Sequence, residues 1–262
     1  MQRPTDAAPL LDLSGVTVRF GGVHALTGAD FAIPRGSVTA LIGPNGAGKT
    51  TLLNAITGMV PVSDGRVVLD GRDITHLPPH ERAAAGVVRT FQNLEVFTSL
   101  TVLENVMTGR HALTRYGIVA SLLRTPGFRR AERLCRERAL EKLEFVGLAD
   151  ERDTPAGELP YGRQRLLELA RALAAEPKLL LLDEPAAGLN TRETAALGAC
   201  IRDIRDRLHV TVGLVEHDMD LVMGISDQVT VLHFGRPLAT GTPDEVQADP
   251  EVVRAYLGED ED

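Results

Sequence analysis

Gly43-Pro44-Asn45-Gly46-Ala47-Gly48-Lys49-Thr50-Thr51 fits the pattern G-x-x-x-x-G-K-[ST]. Such a loop is a phosphate cradle with a cation built in, because its glycines let backbone N–H groups turn inward around an anionic chain. Lys49 supplies a point charge for β- and γ-phosphates, and the Thr50 hydroxyl is a ligand for Mg²⁺. The flanks agree with that reading. Val38-Thr39-Ala40-Leu41-Ile42 before the loop is a buried strand run, and Thr51-Leu52-Leu53-Asn54-Ala55-Ile56 after it opens a helix. A helix N-terminus favours phosphate through its unpaired N–H groups and its macrodipole.

At 262 residues the chain is long enough to bury a sizeable core and to carry an inserted subdomain. With 44% hydrophobic and 24% charged residues it has the balance of a soluble globular protein. A formal charge of −8 argues against nucleic acid as a partner, since no basic excess exists to neutralise phosphates. Cys135 and Cys200 lie far apart without metal-ligand spacing, as expected of reduced core residues in a cytosolic protein. No apolar run reaches the roughly 18 residues that span a bilayer. The start, Met1-Gln2-Arg3-Pro4-Thr5-Asp6, lacks the order of a secretion signal. The chain is therefore expected in the cytosol unless a partner carries it to a membrane.

Along the chain, residues 1–9 read as a flexible start, 10–257 as one domain and 258–262 as an acidic, solvated tail. Val16-Thr17-Val18-Arg19-Phe20 alternates, Phe31-Ala32-Ile33 stops at Pro34-Arg35-Gly36, and residues 65–74 form a hairpin about Asp70-Gly71. These pieces predict a small antiparallel sheet flanking the cradle. From about 94 to 162 the texture turns helical. A capping box, Thr101 with Glu104, starts one helix. Ala131, Cys135, Ala139, Leu143 and Val146 then mark the buried stripe of another, placed at 129–146. After Gly162, helices at 163–175 and 191–208 alternate with strands at 178–183 and 210–215, followed by a helix and a hairpin over 229–243. Buried strands alternating with helices predict a largely parallel sheet.

Leu179-Leu180-Leu181-Leu182-Asp183-Glu184 ends a buried strand with adjacent carboxylates. Beside the cradle strand, Asp183 would reach the metal as a second ligand and Glu184 would orient the attacking water. His217 follows the strand that ends Val215-Glu216, at the carboxyl end where ligands of such sheets bind, within reach of a γ-phosphate. Gln92, in Val88-Arg89-Thr90-Phe91-Gln92-Asn93, reads from residues alone as a loop amide at the border of the helical insert.

The cradle, Gln92, Leu159-Pro160-Tyr161-Gly162-Arg163, Asp183-Glu184, Gly188-Leu189-Asn190 and His217 follow the order of an ATP-binding-cassette (ABC) ATPase, which the chain resembles over nearly its whole length. Within that family it is most similar to the branched-chain amino acid importer group, through 88–93, the insert Leu123-Arg124-Thr125-Pro126-Gly127-Phe128-Arg129-Arg130-Ala131, and Arg254-Ala255-Tyr256-Leu257-Gly258-Glu259. The resemblance implies an α/β fold: a P-loop NTPase (RecA-like) core with a flanking antiparallel β subdomain and an inserted α-helical subdomain. It implies an ATPase at the cytoplasmic face of the bacterial inner membrane, using ATP and Mg²⁺. Its partners would be a second cassette (an identical or a related chain), two transmembrane permeases and, indirectly, a substrate-binding protein. It further implies that Phe20 stacks on adenine, that Gln92 touches Mg²⁺ and senses the γ-phosphate, and that Pro160, Tyr161, Gly162 and Arg163 meet the ATP of the opposite cassette. That last segment departs from the usual Leu-Ser-Gly-Gly-Gln, because Pro160 offers neither hydroxyl nor N–H. Leucine, isoleucine and valine are the expected cargo, with urea, amides or other amino acids as alternatives. An exporter cassette of the lipopolysaccharide type or a soluble mechanical cassette ATPase are the rival readings.

Overall fold

The computed structural model describes residues 8–113 and 125–257. The expected flexible start falls almost wholly outside these residues, as do the acidic tail, Leu123 and Arg124. The described chain divides into two units, one made of Met1–Arg89 with Lys178–Asp262 and the other of Thr90–Pro177.

The first unit holds two sheets. Strands β1 (Leu11–Phe20), β2 (Val23–Ile33), β4 (Asp64–Leu69) and β5 (Arg72–Asp73) form the smaller, in the order β2-β1-β4-β5 and antiparallel throughout. The larger contains β3 (Val38–Ile42), β6 (Val87–Arg89), β7 (Leu179–Asp183), β8 (Thr211–Val215), β9 (Gln228–His233) and β10 (Arg236–Gly241), in the order β10-β9-β3-β8-β7-β6. Only the β9–β10 hairpin is antiparallel in it. Strands buried on both faces need apolar residues at every position. Accordingly Leu179, Leu180, Leu181 and Leu182 are all fully buried. Each contributes about 1.5–3 kcal/mol relative to an exposed side chain.

Helix α1 (Lys49–Thr57) lies in the core between the sheets, with Leu52, Leu53, Ala55 and Ile56 clustered with Leu13, Val67, Leu179 and Leu181. Helix α2 (Pro79–Ala85) then leads into the edge strand β6. Pro79 at its first turn and Gly86 in the left-handed region after its end delimit it.

The second unit is helical. Helix α3 (Val102–Gly109) begins at the expected capping box, with the Thr101 and Glu104 side chains each accepting from the other's N–H. Helix α4 runs Pro126–Phe145, three residues earlier than the apolar stripe alone marks, because the Thr125 hydroxyl accepts from Phe128 and Pro126 supplies a preset first turn. Its Cys135, Ala139 and Leu143 are buried. Helix α5 (Tyr161–Ala174) starts two residues before the sequence expectation, immediately after Pro160. Helices α3, α4 and α5 pack on one another, and a Cβ on Gly109 would stand 2.1 Å from the Arg171 carbonyl oxygen, so α3 can end against α5 only with glycine there.

Returning to the first unit, α6 (Thr191–Leu208) is capped by Asn190 and Glu193 in a second capping box. Helices α7 (Met219–Ile225), α8 (Pro243–Gln247) and α9 (Pro250–Leu257) complete it. Among the described residues no helix is long and apolar enough to cross a membrane.

Candidate functional site at the carboxyl edge of the parallel sheet

β3 delivers the chain into the cradle. Gly43, Gly46 and Gly48 have φ of 147°, 75° and 105°, in the region that favours glycine. Space enforces two of them as well. A Cβ on Gly43 would stand 2.1 Å from the Leu232 carbonyl oxygen, and one on Gly48 2.8 Å from that of Ala25. The loop is drawn inward by Ala47, whose N–H donates to the Pro44 carbonyl at 3.2 Å. Gly48 caps α1 without a side chain, so the first turn of that helix faces whatever the loop surrounds. Lys49 is buried, and its Nζ donates to the carbonyls of Gly43 (2.6 Å) and Pro44 (2.8 Å), which centres the ammonium over the loop. Asn45, Gly46 and Thr50 are exposed, and Thr51 is half-buried.

β7 and β8 bring the acid–base groups to the same edge of the sheet. Asp183 is buried and accepts from Arg89 Nη2 at 2.6 Å, while Arg89 Nη1 donates to Asn54 Oδ1 of α1, also at 2.6 Å. That chain of contacts ties β7 to the cradle helix through the edge strand β6. Glu184 turns out of β7 with φ of 48°, an uncommon conformation for a non-glycine residue, and its N–H donates to the Val215 carbonyl at 2.8 Å. Its Oε1 lies 2.9 Å from Nε2 of His217.

Two positions at this sheet edge are not legible in the sequence. Arg89 lies in a stretch noted for other reasons, and only the parallel pairing of β6 with β7 puts its guanidinium on Asp183. Glu216 is 3% exposed and accepts three backbone N–H groups, from Ala186 (2.7 Å), His217 (2.8 Å) and Asp218 (3.2 Å). It thereby fastens the segment after Glu184 to the segment bearing His217. A carboxylate at the end of an apolar strand was the available clue.

Thr50 and Asp183 offer hard oxygen donors from α1 and β7. Among the described residues no group of three or more His, Cys, Asp or Glu forms a metal cluster. This donor set fits Mg²⁺, which takes one or two protein oxygens and fills its octahedron with phosphate and water. Phe20, at the end of β1, is half exposed and pairs across the hairpin with Val23.

The second unit carries the other expected positions. Gln92 is exposed, and its carbonyl accepts from Arg165 Nη2 at 2.8 Å. The same nitrogen is 2.9 Å from the Tyr161 hydroxyl, and Arg165 Nη1 is 3.1 Å from the Glu168 carboxylate. Burial pushes the Glu168 carboxyl above its ordinary range, against the pull of Arg165. Pro160 caps α5 and accepts the Arg163 N–H at 2.9 Å. The Arg163 guanidinium is held within this unit by Glu151 (2.5 Å) and the Gly147 carbonyl (2.9 Å).

A glycine cradle with its lysine, a buried aspartate and a Glu–His pair just past the ends of neighbouring parallel strands define a P-loop nucleoside triphosphatase. The ABC transporter family matches residues 26–187, and the branched-chain amino acid ATP-binding cassette transporter family matches residues 236–262. The high-affinity branched-chain amino acid transport ATP-binding protein BraF of Pseudomonas aeruginosa is 47% identical over 251 residues, covering 96% of this chain and 98% of its own. Its counterpart LivG of Escherichia coli K12 is 44% identical over the same shares of the two chains. The solved ADP conformation of an ATP-binding cassette from an ABC transporter superposes with a TM-score of 0.84 at 33% identity, covering 96% of this chain and all of that one. The chain belongs to the ABC transporter family, as an ATP-binding subunit whose ATPase activity is coupled to transport.

Proposed function

We propose that this chain is the ATP-hydrolysing subunit of an importer for branched-chain or closely related amino acids, converting ATP and water to ADP and phosphate. The relatives named for branched-chain amino acid transport support the cargo, and the match over 236–262 supports it independently. The chemistry is carried by one observation, the 2.9 Å contact between Glu184 and His217 just past the carboxyl ends of β7 and β8.

Residues 43–51 wrap the phosphates with main-chain N–H groups, and Lys49 neutralises the β- and γ-oxygens. Thr50 and Asp183 would hold Mg²⁺, with Gln92 as a further contact, and the ion would supply positive charge to the phosphates. Glu184 accepts a hydrogen bond from the attacking water and polarises it toward the γ-phosphorus. His217 hydrogen-bonds the γ-phosphate and fixes the Glu184 carboxylate. Phe20 stacks on the adenine. Tyr161 and Gly162, at the opening of α5 beside Pro160 and Arg163, meet the ATP held by a second cassette, so two cassettes complete each other's sites. That second cassette is a copy of this chain or a close relative. The pair drives two permease subunits from the cytoplasmic face of the bacterial plasma membrane, and a substrate-binding protein delivers the cargo. Nucleic acid is not a partner.

Glu184→Gln tests the central assignment. It should slow ATP hydrolysis by about 100- to 10,000-fold while leaving ATP affinity nearly unchanged. Wild-type turnover in that variant would remove Glu184 from the mechanism.

A further inference from the structure

The turn between β9 and β10 carries a side chain that the cradle does not account for. Phe234 is 81% exposed, the most exposed large apolar side chain among the described residues, and its φ is 44°. A bulky residue in the left-handed region is a genuine outlier, and an aromatic ring left in water forgoes its burial energy. Both features disfavour phenylalanine there on grounds of folding alone.

Its surroundings belong to the nucleotide site. The Gly235 N–H donates to the Ala47 carbonyl at 2.9 Å, so Phe234 stands one peptide from the phosphate loop. The Gly235 carbonyl accepts from Thr27 at 3.0 Å, and a Cβ on Gly235 would be 2.5 Å from the Ala25 oxygen. That same oxygen is the atom that excludes a side chain at Gly48. Turn, cradle and β2 therefore converge on Ala25. Two residues along β2, about 7 Å away, lies Val23. It is 68% exposed and pairs with Phe20, itself 50% exposed. Three exposed apolar side chains thus border one region beside the cradle. The ring of His233, 4.3 Å from that of Phe234 and tilted by 56°, flanks the aromatic.

Sheet order indicates what that region receives. β8 and β7, which lead to His217 and Glu184, lie on one side of β3, and β9 and β10 lie on the other. Strands are about 4.8 Å apart, so a triphosphate with its γ end at Glu184 runs its α-phosphate, sugar and base toward the β9–β10 side.

We propose that Phe234 is a second aromatic contact for the purine ring of ATP, acting alongside Phe20. The proposal rests on the reading of the cradle and Phe20 as the nucleotide site. It adds a recognition element for the base on the far side of the sheet from the chemistry, and it gives the strained, exposed phenylalanine a function.

The chain contains no tryptophan, so Phe234→Trp places a single reporter at the site. Its emission should change on titration of the purified full chain with Mg-ATP, and should not change with Mg-tripolyphosphate, which has no base. Phe234→Gly should raise the Kd for ATP about tenfold, leave that for tripolyphosphate as in the wild type, and leave the thermal midpoint unchanged or raised, since glycine accepts the positive φ. ATP affinity in Phe234→Gly equal to wild type would overturn the proposal. So would a tryptophan signal that responds to added permease subunits and not to ATP, which would make the turn a protein contact. If the wild-type chain bound tripolyphosphate but not ATP, base recognition would fail while the cradle stood; binding of neither would sink both.

Discussion

The carboxyl edge of the parallel sheet and the opening of α5 hold functional groups by opposite means. At the sheet edge each hold engages a main-chain N–H. Glu184 is pinned through its own N–H to Val215, and Glu216 gathers three N–H groups from both sides of the Glu184–His217 contact. At the opening of α5, one guanidinium does it. Arg165 reaches the Gln92 carbonyl, the Tyr161 hydroxyl and the Glu168 carboxylate from a buried position. The Glu184 contact is main chain to main chain and tolerates single side-chain substitutions, whereas the Glu216 carboxylate is itself a hub. A side-chain hub fails with one.

The sheet edge is most vulnerable at its buried cation. Lys49→Ala should weaken ATP binding on the order of a thousandfold, the largest effect on binding expected in the chain, because it removes the charge from an enclosed charge-assisted contact. Equilibrium binding to fluorescent ATP would measure it, and a loss under tenfold would contradict the placement of the ammonium over the loop. Next is the hub. Arg165→Met leaves Glu168 buried without its partner, so urea denaturation should show a loss of about 3 kcal/mol. The double replacement Arg165→Met with Glu168→Leu should recover most of that stability without recovering the Gln92 and Tyr161 contacts. Equal stability of the single and double variants would deny the hub its dependence on one pair.

The smallest effect belongs to an exposed cluster away from both. Asp70 joins Lys178 (2.7 Å) and Arg35 (2.5 Å), and these partners hold its carboxyl below the ordinary aspartate value of 3.8. A depressed folded-state value means stability that is present above the ordinary value and lost as pH falls through the depressed one. Asp70→Asn should therefore be slightly less stable than wild type at pH 7, with the gap closing below about pH 4, and salt should shrink it further. A gap that widens in acid would reverse the assigned sign.

Much of both regions is legible in the sequence. The cradle, the buried leucine strand, the capping box at Thr101 and the two kinds of sheet follow from local rules: glycine conformations, side-chain periodicity and end-capping chemistry. Helix starts at Pro126 and Tyr161 were missed because an apolar stripe marks where a helix is buried, not where it begins. The α2–β6 stretch was missed for a related reason. β6 has three residues and becomes a strand only by pairing with β7, about ninety positions later in the chain. Arg89, Glu216 and Arg165 share that cause. Each acts through partners brought near by the fold, and nothing in the neighbouring residues announces them. Phe234 was hidden differently, since its importance lies in being exposed and strained where alternation alone reads an ordinary hairpin.

The strand order also has a consequence for biosynthesis. β3 has β8 on one flank and β9 on the other, so both of its neighbours are translated long after it. A nascent chain can complete the antiparallel sheet and the helical unit early, yet the strand that carries the phosphate loop has no sheet partner until residue 215 has left the ribosome, and only one until residue 233 has. Grip on nucleotide is thus acquired late in synthesis, and until then the apolar strand run is open to pairing with other unfinished chains.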